Sequence, residues 1–271
     1  MPALVCVADA AVCDAHWFAE VVDEHRPDRV VALNAEPTLE TVASLAARLN
    51  RLTPDKLLVV GGGTVLDTAR LAALSLRLGV RAPIFFSRGR QGLLPVPDRL
   101  IGPAAVGQMI AVPTTLGTGA ETSAVACLLV GDRRRLVMAE ALRADVARYF
   151  PNCYSTLPGH LIADAILEVV LRVIGPYVVN DAGPADAAAA CALRRVDRIS
   201  EAARTHDPTA LAELARLSGE THSPAFSQGR QPFAAPLWYI ANELSAATGT
   251  SKMHAHRQLL APWLDAVKRQ G

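Results

Sequence analysis

Lysine is scarce in this chain. The sequence holds 27 basic residues, and the only lysines are Lys56, Lys252 and Lys268. Neither sign of charge is in excess: the formal net charge is +1. That balance removes the electrostatic case for nucleic acid or an anionic membrane as partner. Cysteine is sparse too. Cys6, Cys13, Cys127, Cys153 and Cys191 make an odd set without CxxC spacing. This excludes a disulfide framework or a zinc ribbon and fits free thiols in a reducing compartment. No apolar run reaches membrane-spanning length, and no basic-then-apolar segment precedes a cleavage site. A cytoplasmic protein is therefore expected. What is abundant is apolar: 51% of the 271 residues, enough for one large core or two modest domains.

Short apolar runs alternate with helical stripes. Leu4–Ala8, Arg29–Leu33, Leu57–Val60, Ile84–Phe86 and Met109–Val112 read as strands. Between them, residues 38–50 carry Leu39, Val42, Ala43, Ala46 and Leu49 at helical spacing, and residues 67–78 continue a second helix. Such alternation predicts a doubly wound parallel α/β sheet with helices on both faces. Residues 87–107, rich in Gly, Pro and Arg, read as a surface excursion, and 125–130 with 136–138 as a hairpin. Five helical segments follow, 161–174, 185–203, 208–218, 236–247 and 252–268, with loops at 183–184 and 223–232. The expected division is an α/β domain over 1–155 and a reduced all-helical domain over 156–271.

Two glycine-rich turns follow apolar runs. The first is Val59-Val60-Gly61-Gly62-Gly63-Thr64-Val65-Leu66-Asp67; the second is Val112-Pro113-Thr114-Thr115-Leu116-Gly117-Thr118-Gly119-Ala120-Glu121. Backbone N–H groups at a Gly-rich strand-to-helix junction can face an anion without side chains in the way. Two such turns in one α/β unit suggest a dinucleotide. Their sequences resemble the superfamily of dehydroquinate synthases, glycerol dehydrogenases and iron-type alcohol dehydrogenases. Thr64 and Ala120 stand where serines are usual, and Arg70 where lysine is common. The resemblance runs on through Leu142-Arg143-Ala144-Asp145 and Thr156-Leu157-Pro158, covering roughly 1–170.

The resemblance implies a dehydroquinate synthase-like fold and NAD or NADP as cofactor. Gly61, Gly62 and Gly63 would admit the pyrophosphate, and a bulky side chain at Gly62 would fill that space. Thr64 would cap the next helix and reach a phosphate oxygen. Asp67 would hold the turn or reach the nicotinamide amide. Thr114, Thr115 and Thr118 would line the opposite wall. Asn34 and Glu36 end the second strand, where a ribose-reading residue belongs. An acid there accepts from a 2′-OH and repels a 2′-phosphate, which favours NAD over NADP.

Relatives place a divalent metal between the domains, held by a carboxylate and later histidines. Counting from Pro158, the carboxylate falls on Glu168, with Asp164 one turn earlier on the same face. At the histidine positions stand Trp238 and Asn242, and Ser251-Lys252-Met253 replaces a Pro-His-Gly. His254 and His256, two apart on a helix, leave opposite sides and read as solvated. His222 is a spare candidate in a loop. A zinc or iron site needs at least three protein donors. No stoichiometric metal is expected, Asp164 and Glu168 being vestiges that would pair with a base such as Arg172 or Lys252.

Two functional readings follow. One is an NAD(P)-dependent oxidoreductase of alcohols, aldehydes or ketones, in which Lys252 substitutes for the ion as electrophile and Tyr239 or His254 relays a proton. The other is a non-catalytic partner subunit derived from such an enzyme. Size and the abbreviated helical part are similar to dehydrogenase-like proteins that serve ribosomally made, daptide-type peptides in specialised-metabolite biosynthesis. A small-molecule or peptide substrate, a protein partner enzyme and an oligomeric state are expected. In the second reading Trp238, Tyr239 and Trp263 would mark the partner surface.

Overall fold

The computed structural model describes residues 3–34, 36–87, 92–131, 133–230 and 236–270, with Gln270 by its backbone alone. The expected excursion at 87–107 and the loop at 223–232 fall partly outside these residues. So does Ala35 in the turn after the second strand.

β1 (Leu4–Asp9), β2 (Arg29–Leu33), β3 (Lys56–Gly61), β5 (Gln108–Pro113) and β8 (Val146–Ala147) form a five-stranded sheet in the order β2-β1-β3-β5-β8. All of its pairings are parallel. The strict period of two along each strand sorts side chains to two cores. Val5, Val7, Leu57, Val59, Met109 and Ala111 enter one core, with α2 (Leu39–Leu52) and α3 (Gly63–Leu78). Cys6, Ala8, Leu58, Val60, Ile110 and Val112 enter the other. That second core takes in α1 (His16–His25), α5 (Gly159–Val178), α6 (Asp186–Arg204) and α7 (Pro208–Glu220). Helices thus cover both faces, as the alternation implies. The second core is continuous across residue 155.

Local signals set the helix ends. Thr38 caps α2 by accepting from the Thr41 amide at 3.1 Å, and Thr53 closes it in the left-handed region at φ 40°. α3 begins at Gly62 with no side-chain cap. Beside the main sheet lies a three-stranded one, β4 (Gly92–Pro95), β7 (Arg133–Met138) and β6 (Val125–Val130), in the order β4-β7-β6. Its β6–β7 pair is the expected antiparallel hairpin. α8 (Pro236–Thr248) and α9 (Lys252–Gln270) complete the chain and pack on Leu171 of α5 through Leu237 and Met253.

Two local expectations are corrected. Ile84–Phe86 is part of α4 (Ala82–Ser87), not a strand. An apolar run this short has no readable period, and Pro83 fits a first helical turn, where its missing N–H is not needed. The excursion holds β4, which pairs in parallel with β7. α1 and β8 also carry too little pattern to be read beforehand.

Candidate functional site

In the order β2-β1-β3-β5 the chain reverses its direction of travel between β1 and β3. Ligands of open α/β sheets gather at such switch points, outside the carboxyl ends of the strands. The first glycine turn leaves β3 there. β5 pairs beside β3 with Gly61 opposite Pro113, so the second turn leaves the same edge. The Thr114 amide donates to the Gly61 carbonyl at 3.0 Å. The two turns are in contact. A Cβ on Gly62 would lie 3.0 Å from Thr115 Cγ2, and one on Gly63 3.3 Å from Thr118 Cγ2. Thr115 therefore crowds the space beside Gly62, whatever binds beyond it, and its methyl would have to give way to a larger side chain.

Thr64 does not cap α3; it lies inside the first turn with its side chain exposed. The first amides of α3 have no side-chain acceptor. They are available to an anion, with the helix dipole favouring negative charge. Thr114 is buried, whereas Thr115 and Thr118 are half-buried on the facing turn. Asn34 and Glu36 are exposed beyond the end of β2.

Asp67 is committed elsewhere. One carboxylate oxygen pairs with Arg70 and the other accepts from the Cys127 amide at 2.8 Å. Arg70, fully buried, also donates to the carbonyls of Ser123 at 2.5 Å and Val125 at 3.0 Å. Asp67 thus ties α3 to β6, a holding role like one of the two expected of it. Burial raises its pKa against the pull of Arg70. Glu121, at the end of the second motif, is also turned inward and accepts from the Tyr149 hydroxyl at 3.2 Å.

The second turn is clamped from the helical side. Arg172 of α5 donates to the carbonyls of Gly117 at 2.6 Å and Thr118 at 3.1 Å, and to Thr221 Oγ1 at 3.1 Å. His222 Nε2 donates to the Thr118 carbonyl at 3.2 Å. Burial first, and then the charge of Arg172, hold His222 well below the usual histidine range. Gly117 at φ 90° lies so close to α5 that a Cβ would sit 2.7 Å from the Ala165 Cα. His222 is therefore a clamp on the turn, a role its loop position did not reveal.

The expected acid–base cluster forms. Glu168, 6% exposed in its side chain, accepts from Lys252 Nζ at 2.7 Å and Arg172 Nη2 at 3.4 Å through the same oxygen. Burial works to raise its pKa, but Lys252 and Arg172 together outweigh it and hold the carboxylate below the ordinary range. Asp164 pairs separately with Arg257. Lys252 Nζ lies 4.2 Å from the centroid of the Trp238 ring, and the Arg172 guanidinium 5.6 Å from it. His256 is fully buried, which corrects its reading as solvated. Its Nδ1 donates to the Lys252 carbonyl at 2.9 Å, and its ring lies 4.7 Å from Trp238. His254 is exposed and bonded to Gln258 at 3.0 Å, on the face of α9 turned away from this cluster. The expected proton relay through it would therefore lie outside this cluster. Tyr239 is half-buried, with burial raising its pKa, and is turned by about 100° around α8 from Trp238. Trp238 and Trp263 pack against Leu171, Leu237 and Met253 instead of forming an open patch.

The donors do not fit an iron or zinc ion. Among the described residues no three His, Cys, Asp or Glu side chains converge. Trp238 offers no lone pair, Asn242 is a weak neutral donor, and the one central carboxylate already holds two cations. Two cavities lie elsewhere. One of about 550 Å³ sits at the amino ends of β5 and β8 beside Arg77, Gly107 and Glu140. The other, about 350 Å³, lies between β2 and α2. Neither touches the glycine turns.

Comparison with known proteins agrees with this architecture. The family model of the iron-containing alcohol dehydrogenases matches residues 2–150. The chain belongs to that family. It is 34% identical over 160 residues to a phosphonoacetaldehyde reductase of Streptomyces viridochromogenes, covering 58% of this chain and 40% of that one. It is 28% identical over 173 residues to an alcohol dehydrogenase of Thermococcus barophilus, covering 62% and 44%. The matched segment thus spans under half the length of these relatives. Among solved structures, the NADH-dependent butanol dehydrogenase A of Thermotoga maritima superposes with a TM-score of 0.81 at 19% identity, covering all of this chain and 68% of that one. The sulfoacetaldehyde reductase of Bifidobacterium kashiwanohense, solved with NAD+, gives 0.77 at 17%, covering 97% and 68%. These likenesses establish the fold. Among the described residues no helix is long and apolar enough to cross a membrane.

Proposed function

We propose that this chain binds a nicotinamide dinucleotide and interconverts a small alcohol and its carbonyl compound. The observation that carries the reading is the uncapped amino end of α3, set at the switch point of the sheet against the Thr115–Thr118 turn. The amides at Gly63 and Thr64 would hold the pyrophosphate, and the Thr64 hydroxyl, exposed beside them, would add a donor. Thr115 and Thr118 would wall the nicotinamide side. Glu36, exposed beyond β2, disfavours a 2′-phosphate and so favours NAD over NADP. When bound, the nicotinamide supplies the hydride; the chain's own residues orient it and receive the charge that develops on oxygen.

The names of the relatives suggest the probes. Propanal, butanal, phosphonoacetaldehyde and sulfoacetaldehyde, each with NADH and NADPH, would be followed by loss of reduced-nicotinamide absorbance. Turnover of at least one with NADH is expected. Absence of turnover with all of them, in protein that binds the dinucleotide, would favour a non-catalytic partner subunit. One observation favours that second reading: Glu168 is closed off by Lys252 and Arg172.

A further inference from the structure

We propose that the ammonium group of Lys252 is a tethered cation standing in for the family's metal ion, offering an N–H to the substrate oxygen. The inference rests on the oxidoreductase reading for its substrate, but not for the placement of the cation. An ammonium carries three donors. One goes to Glu168 Oε1 at 2.7 Å, and the Trp238 ring face lies 4.2 Å from the nitrogen. A third N–H is left over. The Lys252 side chain is 28% exposed against 6% for Glu168, so of the pair the lysine is the more open to an incoming molecule.

The substitutions around it match one another. An indole cannot ligate an ion, but its face attracts an ammonium, and more strongly when both are desolvated. Trp238 where a ligand would stand, and Lys252 across from it, therefore make one coherent exchange of a metal for a side-chain cation. His256 locks both partners, through the Lys252 carbonyl and through the Trp238 ring. The local charge also has the right sign. Lys252 and Arg172 share the single carboxylate of Glu168. The nearby Asp67 is already paired with Arg70. Glu121, which also faces Arg172, is turned inward onto the Tyr149 hydroxyl. An ammonium beside the substrate oxygen suits that oxygen as it becomes an alkoxide. A bound dihydronicotinamide would supply the hydride to the carbonyl carbon. As the C=O π pair moved onto oxygen, the Lys252 ammonium would give that oxygen a proton, and the amine would recover one H+ from the solvent, which balances the reduction.

The test begins with the whole chain and metal alone. Purified wild type is expected to hold no stoichiometric iron or zinc and to give no d–d bands with Co2+. Trp238→His with Asn242→His, combined with Lys252→Ala, offers two imidazoles that with Glu168 make three donors, and is expected to bind Co2+. The same pair with Lys252 kept is expected to bind at least about tenfold more weakly, because the cation's place is filled. About one iron or zinc per chain in wild type, lost in Glu168→Gln, would overturn the proposal. So would equal Co2+ binding with and without Lys252. A second arm uses the near-isosteric Lys252→Met, which keeps the packing. NADH affinity is expected to stay within about twofold while turnover of the best aldehyde falls about a hundredfold, with partial recovery in Lys252→Arg. Unchanged turnover in Lys252→Met would overturn it. Failure of wild type to bind NADH would instead strike the oxidoreductase reading and leave the metal arm to decide the place of the cation.

Discussion

Gly119 shows how much one hydrogen atom in place of a side chain decides here. It sits at φ 59°, and a Cβ would lie 2.3 Å from the His222 ring. Gly131 has a similar φ of 64° but open space around it. In urea melts Gly119→Ala is expected to lower the unfolding free energy by about 1–3 kcal/mol more than Gly131→Ala, the difference measuring the contact alone. His222 itself makes stability depend on pH. Its folded-state pKa lies well below 6.5, so the unfolded chain binds the proton more readily. The neutral ring's contribution is complete above about pH 6.5 and is lost as pH falls from there towards the folded value. Urea melts at about pH 7.5 and 5.5 are expected to show a loss that shrinks in His222→Gln. These residue roles were only half legible. The second motif marks Gly119 as a turn glycine, but a loop histidine a hundred positions on gives no sign of being its neighbour. His254 and His256 are similar: their spacing says that they diverge, and only packing says which is buried.

At the scale of elements, β1, β2, β3 and β5 were legible as apolar runs and α2 and α3 between them by their 3.6 period, because a sheet covered on both faces needs strands apolar on both sides. Glu168 was legible as well, since the helix after Pro158 runs without a gap and fixes its count. α4 and β4 were not, their runs being too short to carry a period. The joint between elements that matters most is Arg172 of α5 against the second glycine turn. Arg172→Met leaves the buried carbonyls of Gly117 and Thr118 without that donor and Glu168 with Lys252 alone. It is expected to cost about 3 kcal/mol by denaturant melt, with the carbonyls as the larger part. Arg172→Lys is expected to recover only part of this, because an ammonium cannot span the same acceptors.

The whole molecule depends on a core that crosses the expected domain boundary. Leu58, Val60, Ile110 and Val112 of the sheet pack in one cluster with Ile162, Val169 and Leu214. A chain ending at residue 155 would expose that sheet face and is expected to aggregate or to lack near-ultraviolet dichroism, where two independent domains would each stay folded. The central claim, a dinucleotide on the amino end of α3, is tested most directly by calorimetric titration of NADH into wild type and Thr64→Glu. Gly62→Val would be ambiguous, since Thr115 already fills the space beside it. Thr64 is exposed on the first turn of an uncapped helix, so a carboxylate there favours the ligand-free fold by about 0.3–1 kcal/mol through the helix dipole. The same charge repels a pyrophosphate. The result expected is one NADH per wild-type chain, with Thr64→Glu at least as stable to heat but binding NADH about tenfold or more weakly. No binding to folded wild type at millimolar NADH, or equal binding in the two proteins, would contradict the claim.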